Sequence, residues 1–70
     1  MDFESLKKEL ALLGYVDSNV LRFENDKIVF VNDNLEIHSD LSLYETDHNG
    51  LFELCIVESV DDVIFYIEEN

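Results

Sequence analysis

Residues 19–32 read NVLRFENDKIVFVN, and this stretch decides the fold. Two runs of strand-forming residues, 19–24 and 27–32, flank the dipeptide Asn25-Asp26. A two-residue turn between two such runs is the signature of a tight antiparallel hairpin. The stretch therefore predicts two neighbouring strands and, with them, an antiparallel sheet.

Three further strand segments are predicted downstream of this hairpin. Residues 35–38 follow a turn at 32–34, residues 41–45 alternate in character, and residues 51–58 follow a turn at 46–50. The last segment carries apolar side chains at both alternating sets of positions. A strand that is apolar on both sides is typical of a sheet interior, so we expect residues 51–58 to lie centrally in the sheet.

A helix is predicted at each end of the chain. Residues 2–13 form the first, with Asp2 as its N-cap and Gly14 as its stop. Its core stripe consists of four apolar residues at helical spacing: Phe3, Leu6, Leu10 and Leu13.

The last segment has two interpretations. Its apolar run, residues 63–67, has the composition of a strand. Ser59 followed by Asp62 resembles a helix cap, and Val60, Val63, Ile64 and Ile67 fall on one helical stripe, so we favour a helix. The predicted fold is α+β, in which one antiparallel sheet of about four to five strands carries an N-terminal and a C-terminal helix. A chain of 70 residues allows a single domain, 1–70.

Charge is the unusual property of this sequence. Seventeen acidic residues against four basic ones give a formal net charge of −13. All four cations lie in the first 27 residues, whereas residues 28–70 carry eleven acids and no lysine or arginine. Such a charge opposes direct binding to nucleic acid or to an anionic membrane. It favours either a partner with a basic surface or an acidic surface that only keeps the protein dispersed.

Signals for catalysis or metal binding are weak. The segment Glu45-x-Asp47-x-Asn49-Gly50 resembles the start of a calcium loop, but Ile56 stands where a bidentate glutamate is needed, so we predict a hairpin turn instead. Cys55, the one cysteine, is expected to be buried, and His38 and His48 to be exposed. No phosphate-binding loop, nucleophile motif or zinc-ligand spacing occurs in the sequence. We therefore expect no enzyme activity, no cofactor and no metal. Because no apolar segment is long enough to span a membrane, we expect a cytoplasmic protein, in a host cell if the gene is phage-encoded.

The candidate partner-binding residues fall in two groups. On the C-terminal helix, Phe65 is predicted to stand exposed among four carboxylates: Asp61, Asp62, Glu68 and Glu69. An aromatic anchor surrounded by charges is what a small protein interface needs. The second group lies on the predicted strands and turn: Tyr44, Glu45, Asp47 and Glu53. Alternate residues of a strand are about 6.6 Å apart, close to the spacing of neighbouring phosphates, so alternating carboxylates can imitate a nucleic-acid backbone.

Three classes of function compete. The first is a non-catalytic inhibitor that covers the basic, nucleic-acid-binding surface of a nuclease, as phage anti-CRISPR and anti-restriction proteins and toxin-immunity proteins do as classes. The second is an interaction subunit or homodimer whose acidic surface only aids solubility. The third, a small enzyme or metal protein, has no support in the sequence. We predict the first class, acting as a monomer or a homodimer.

Overall fold

The structure is a computed structural model that describes residues 1–16, 20–31 and 34–69, with the backbone alone for the last residue. In chain order the elements are α1 (Phe3–Leu12), β1 (Leu21–Glu24), β2 (Lys27–Phe30), β3 (Leu35–His38), β4 (Ser42–Asp47), β5 (Gly50–Ile56) and α2 (Val60–Glu69). The five strands pair in the order in which they occur, and every pair is antiparallel. The predicted α+β fold, with one antiparallel sheet and a helix at each end, is confirmed.

Both predicted hairpins are present. Glu24 pairs with Lys27 across the turn at residues 25–26, and Asp47 pairs with Gly50 across the turn at residues 48–49. Gly50 has a φ of +124°, a conformation that residues with a side chain rarely adopt. The predicted strand ends at residues 19 and 32 and most of the turn at 32–34 lie outside the described residues.

The position predicted for the fifth strand is wrong. We expected residues 51–58 to lie in the sheet interior, but β5 is an edge strand, because the chain adds its strands one after another and β5 is the last. Its exposed side chains include Leu51 at 45%, Phe52 at 44% and Ile56 at 52%. The register also shifts between Leu43 and Tyr44, so the alternation of β5 is interrupted by a bulge. Apolar side chains on both faces of β5 therefore do not mean that both faces are buried within the protein.

The boundaries of β4 also differ from the prediction of residues 41–45. Leu41 has a φ of +71°, in the left-handed region, so the strand begins only at the following residue. The Leu41 amide donates to the carbonyl of His38 at 2.8 Å, and the Leu41 carbonyl accepts from the amide of Val57 at 2.8 Å. These two bonds hold a turn that local sequence pattern does not reveal.

One face of the sheet and both helices enclose the core. Its fully buried members are Leu6, Leu10, Leu21, Ile28, Phe30, Leu35, Ile37, Leu43, Val57 and Val63. Phe3 is partly buried against this cluster, as the predicted stripe of α1 requires. Leu13 is 52% exposed, contrary to the prediction, because it is the C-cap residue, where the helical periodicity ends.

The ends of the helices are stabilised by local hydrogen bonds. The Asp2 carboxylate accepts from the Ser5 amide at 2.8 Å, which lowers the pKa of Asp2 and confirms it as the N-cap of α1. Gly14, with a φ of +83°, follows the end of that helix. At the start of α2 the Asp62 carboxylate accepts from the amides of Glu58 and Ser59, at 2.9 and 3.3 Å. The last segment is thus a helix, as favoured, and not a strand.

Candidate interaction surface

The cations of this protein are largely neutralised by acids near the β1 edge of the sheet. Lys7 lies 3.5 Å from Glu4, and Arg22 lies 3.0 Å from Glu24. Lys27 lies 3.8 Å from Glu24 on one side and 3.3 Å from a second carboxylate, that of Glu36 on β3, on the other. The hydrogen bond and the charge of that β3 carboxylate raise the pKa of Lys27. These contacts place an acid beside three of the four cations of the sequence.

A second group of carboxylates has no such partners. We call it the acidic end and define it by the carboxylates of β4, β5, α2 and the segment between β5 and α2, which are Glu45, Asp47, Glu53, Glu58, Asp61, Asp62 and Glu68. Among the described residues, none of these seven forms an ion pair with a lysine or arginine. Since β1 and β5 are the two edges of a five-stranded sheet, Arg22 on β1 and Glu53 on β5 are separated by four strand spacings, about 19 Å.

The helix α2 presents the predicted aromatic to solvent. Phe65 is 58% exposed, and its ring meets that of Tyr66 edge-on, with 5.4 Å between the centroids. Asp61 and Glu68 are exposed and Asp62 is half-buried, whereas the side chain of Glu69 lies outside the described residues. The exposure expected of Phe65 is confirmed, and its role in binding stays a prediction.

A groove of about 340 Å³ lies between this helix and the end of β5. It is lined by Cys55, Ile56, Glu58, Asp62, Phe65 and Tyr66. Sequence reasoning missed the contributions of Ile56, Glu58 and Tyr66, because they depend on α2 crossing beside the end of the edge strand. The groove combines two exposed apolar side chains, Ile56 and Phe65, with two carboxylates.

Cys55 in this groove is a poor nucleophile. The side chain is half-buried, although we predicted full burial, because it lies on an edge strand. Burial raises the pKa of the thiol, and the negative charges of Asp62, Glu53 and Glu58 raise it further, against the opposing hydrogen bond with Tyr66. The groove therefore holds a neutral thiol at physiological pH, which favours binding over covalent chemistry.

The candidates on the strands do not form one patch with those on the helix. Tyr44 and Glu53 pair across β4 and β5 on the open face of the sheet, whereas Glu45 pairs with Phe52 on the other face. Asp47 lies at the hairpin, where its carboxylate accepts from the Asn49 amide at 2.7 Å. The hairpin lies at the opposite end of β5 from the groove, about 20 Å away. Of the nine predicted residues, one thus lies on β5 (Glu53), three on β4 (Tyr44, Glu45 and Asp47) and five on α2 (Asp61, Asp62, Phe65, Glu68 and Glu69).

Two aromatic rings on the open face are less exposed than predicted. Tyr44 is half-buried, because its ring lies against that of His38 with 4.4 Å between the centroids. The same histidine, expected to be exposed, is also within 3.0 Å of the Glu36 carboxylate. His48, in the hairpin turn, is exposed as predicted.

Within residues 1–16, 20–31 and 34–69, no group of three or more histidine, cysteine, aspartate or glutamate side chains could hold a metal ion. In that same part of the chain, every helix is too short or too polar to cross a membrane.

Comparison with known proteins gave no match of this chain to a protein-family model, to a curated protein or to a solved structure.

Proposed function

We propose that this protein is a non-catalytic inhibitor that binds the basic, nucleic-acid-binding surface of a target protein such as a nuclease. The observation that carries the proposal is the acidic end, where seven carboxylates have no lysine or arginine partner among the described residues. Carboxylates placed on a positively charged groove occupy the sites of phosphates and exclude the nucleic acid. A nuclease toxin with its own immunity protein is one form that such a pair can take.

The separation of charge supports association by electrostatic steering. A negatively charged surface attracts a positive groove over a range of about 10 Å at moderate salt. Complementary potentials raise the association rate constant to about 10⁸–10⁹ M⁻¹s⁻¹ at low salt, and the rate falls steeply as salt is added. An inhibitor that must reach its target before the substrate does benefits from this speed.

Phe65 supplies affinity that exposed charges alone do not. Exposed charges at the rim of an interface contribute little to affinity, whereas a large aromatic that becomes buried on binding is a typical hot spot. The ring is exposed and lies beside Ile56 at the mouth of the groove. We assign it the role of anchor, with Asp61 and Glu68 setting the orientation.

A second candidate function is favoured by the exposed apolar residues of β5. Leu51, Phe52 and Ile56 would be covered if the protein were a subunit of a homodimer. Salt distinguishes the two functions. A charge-driven complex weakens by orders of magnitude from low to high salt, whereas a homodimer with an apolar interface persists or tightens.

The experiment is a nuclease-inhibition assay with a panel that contains a restriction endonuclease, an RNA-guided nuclease and a nuclease toxin. We expect the protein to inhibit at least one of these enzymes at low salt. Phe65→Ala should raise the inhibitor concentration needed by about 30-fold, the effect of losing about 2 kcal/mol at a hot spot. Asp61→Lys should slow association and reduce the salt dependence.

Glu9→Lys is the matched control, because it makes the same change in charge on an exposed residue of α1 that is not part of the acidic end. It should leave inhibition nearly unchanged, and circular dichroism should show all three variants folded. Inhibition that survives both Phe65→Ala and Asp61→Lys, or that falls equally with Glu9→Lys, would contradict a binding site on the acidic end.

A further inference from the structure

We propose that β5 accepts an extended segment of the target as a sixth strand, and that this segment alternates basic with apolar side chains. The inference rests on the proposed function, because it describes how the acidic end holds its partner. In this mode of recognition, main-chain hydrogen bonds to a sheet edge supply affinity and the side-chain contacts supply specificity.

The outer side of β5 is available for such pairing. Within the described residues β5 pairs only with β4. Asp47 and Gly50 close the hairpin across a two-residue turn, and hydrogen-bonded and non-bonded pairs alternate from there along an antiparallel ladder. The N–H and C=O groups of Leu51 and of Glu53 consequently point away from β4. After the bulge the Val57 amide points inward, to the Leu41 carbonyl. The N–H of the preceding residue, Ile56, therefore points outward.

This edge has few of the features that normally prevent pairing. Edge strands in natural proteins are often short, or carry proline or lysine. At seven residues β5 is the longest strand of the sheet, the chain contains no proline, and residues 28–70 contain no lysine. Leu51 and Ile56 are exposed on the same face as Glu53. A long edge with exposed apolar side chains is a ready template for another strand.

Charge determines which strand can occupy the edge. A second copy of this chain would bring its own acidic end beside Glu53, and like charges on neighbouring strands destabilise a sheet. Glu58 and Asp62, at the end of β5, would add to that repulsion. Lysine or arginine opposite Glu53 has the opposite effect. These carboxylates thus discourage self-association and leave the edge open to a basic segment.

The groove at the end of β5 is the reason to expect apolar side chains in the added strand. A strand added along β5 continues past Ile56 towards α2, where the groove lies between the two elements. An apolar side chain of the added strand can pack there against the exposed ring of Phe65. Its basic side chains lie on the other face of the sheet, where they meet Glu53.

The test is an NMR titration of the ¹⁵N-labelled protein with a short synthetic peptide of alternating lysine and valine. We expect shifts at the amides of residues 51–56 and slowed hydrogen exchange at Leu51 and Glu53. Glu53→Pro should weaken binding at least tenfold, because proline removes an outward N–H donor and blocks the approaching strand, yet is tolerated at a sheet edge. Glu53→Gln, the matched control, removes only an exposed charge and should weaken binding about two- to fivefold.

Three results would overturn this mode of binding. One is the absence of shifts with the peptide. Another is shifts spread over all the carboxylates, with equal affinity for Glu53→Pro and Glu53→Gln, which would indicate nonspecific attraction. The third is concentration-dependent shifts of β5 without peptide, which would make a second copy the occupant. If Glu53→Pro does not fold, hydrogen exchange at Leu51 and Glu53 in the unmodified protein tests the proposal, because rates that the peptide does not slow would contradict strand addition. Failure here leaves nuclease inhibition testable on its own, since that assay does not depend on the edge.

Discussion

Asp40 illustrates how a single carboxylate supports this fold. Its side chain accepts a hydrogen bond from the Ser42 amide at 3.0 Å, and this bond holds the pKa of Asp40 below its ordinary value of 3.8. The bond spans Leu41, whose φ of +71° makes the turn into β4 costly. The Asp40 carboxylate therefore stabilises the turn at Leu41.

The depressed pKa of Asp40 predicts a pH dependence of its contribution. A carboxyl with a lower pKa in the folded state stabilises the protein above its unfolded pKa, and that contribution is lost as pH falls through the folded value. Relative to Asp40→Asn, the unmodified protein should have a higher urea midpoint at neutral pH. The difference should shrink as pH falls below 3.8. Urea titrations across this range measure it, with Asp26→Asn, in an exposed turn, as control.

A difference between the unmodified protein and Asp40→Asn that stays constant from neutral to strongly acidic pH would show that the ionised carboxylate is not what stabilises the turn.

Single residues also show where prediction from sequence ends. The helix stripe and the turn residues identified Phe65 as exposed and residues 46–50 as a turn. They did not identify the neighbours of His38, whose ring contacts Tyr44 and whose nitrogen approaches Glu36. Alternation along a strand tells which residues share a face. It does not tell which residues of other strands lie beside them, and those contacts bury the two rings.

At the scale of elements, the hairpins could be predicted because their turns depend on local chemistry. Gly50 is the clearest case, since its φ of +124° is rarely adopted by a residue with a side chain. A Cβ added there would meet no other atom within 4 Å. Any penalty for a side chain at this position is therefore one of backbone conformation.

We predict that Gly50→Ala destabilises the protein by about 1–3 kcal/mol, the usual cost of a residue held in such a conformation. His48→Ala, in the same turn and exposed, should change the free energy of unfolding by no more than about 0.5 kcal/mol. Chemical denaturation of both variants measures the difference. Equal stabilities of the two variants would mean that the hairpin relaxes to accommodate alanine.

The place of β5 could not be predicted, for a reason that also concerns the candidate site. An apolar run looks the same whether both of its sides are covered by the protein or one of them awaits a partner. The sequence gives no local signal for the order of strands in a sheet, and only pairing shows that residues 50–56 form an edge. The groove beside α2 was missed for the same reason.

At the scale of the whole molecule, the segregation of charge was visible in the sequence, but its geometry was not. The absence of lysine and arginine after position 27 predicted an uncompensated region. In the folded chain the carboxylates of β4, β5 and α2 have no lysine or arginine partner among the described residues, whereas Arg22 on β1 and Lys27 on β2 are paired with acids of β1 and β3. The order of strands, which the sequence did not reveal, produces this arrangement.

A net charge of −13 on a chain with a radius of gyration of 11.0 Å predicts that salt stabilises the fold. Sodium chloride should raise Tm by screening repulsion within the acidic end, and each 1 kcal/mol of relieved repulsion corresponds to about 4–8 °C in a domain of this size. Thermal melts at several salt concentrations measure the effect.

The double variant Asp61→Asn/Glu68→Gln, which lowers the repulsion without adding cations, should show a smaller rise of Tm with salt. A Tm that is independent of sodium chloride in the unmodified protein would mean that the carboxylates are compensated locally.

Paired cations on β1 and β2 and unpaired carboxylates on β4 and β5 also give the sheet a dipole moment along its width. Near a positively charged surface a dipole experiences a torque as well as a pull, which turns the β5 edge forward before any atoms touch. Most collisions between two proteins occur in orientations that do not lead to binding. This alignment shortens the rotational search for the productive one.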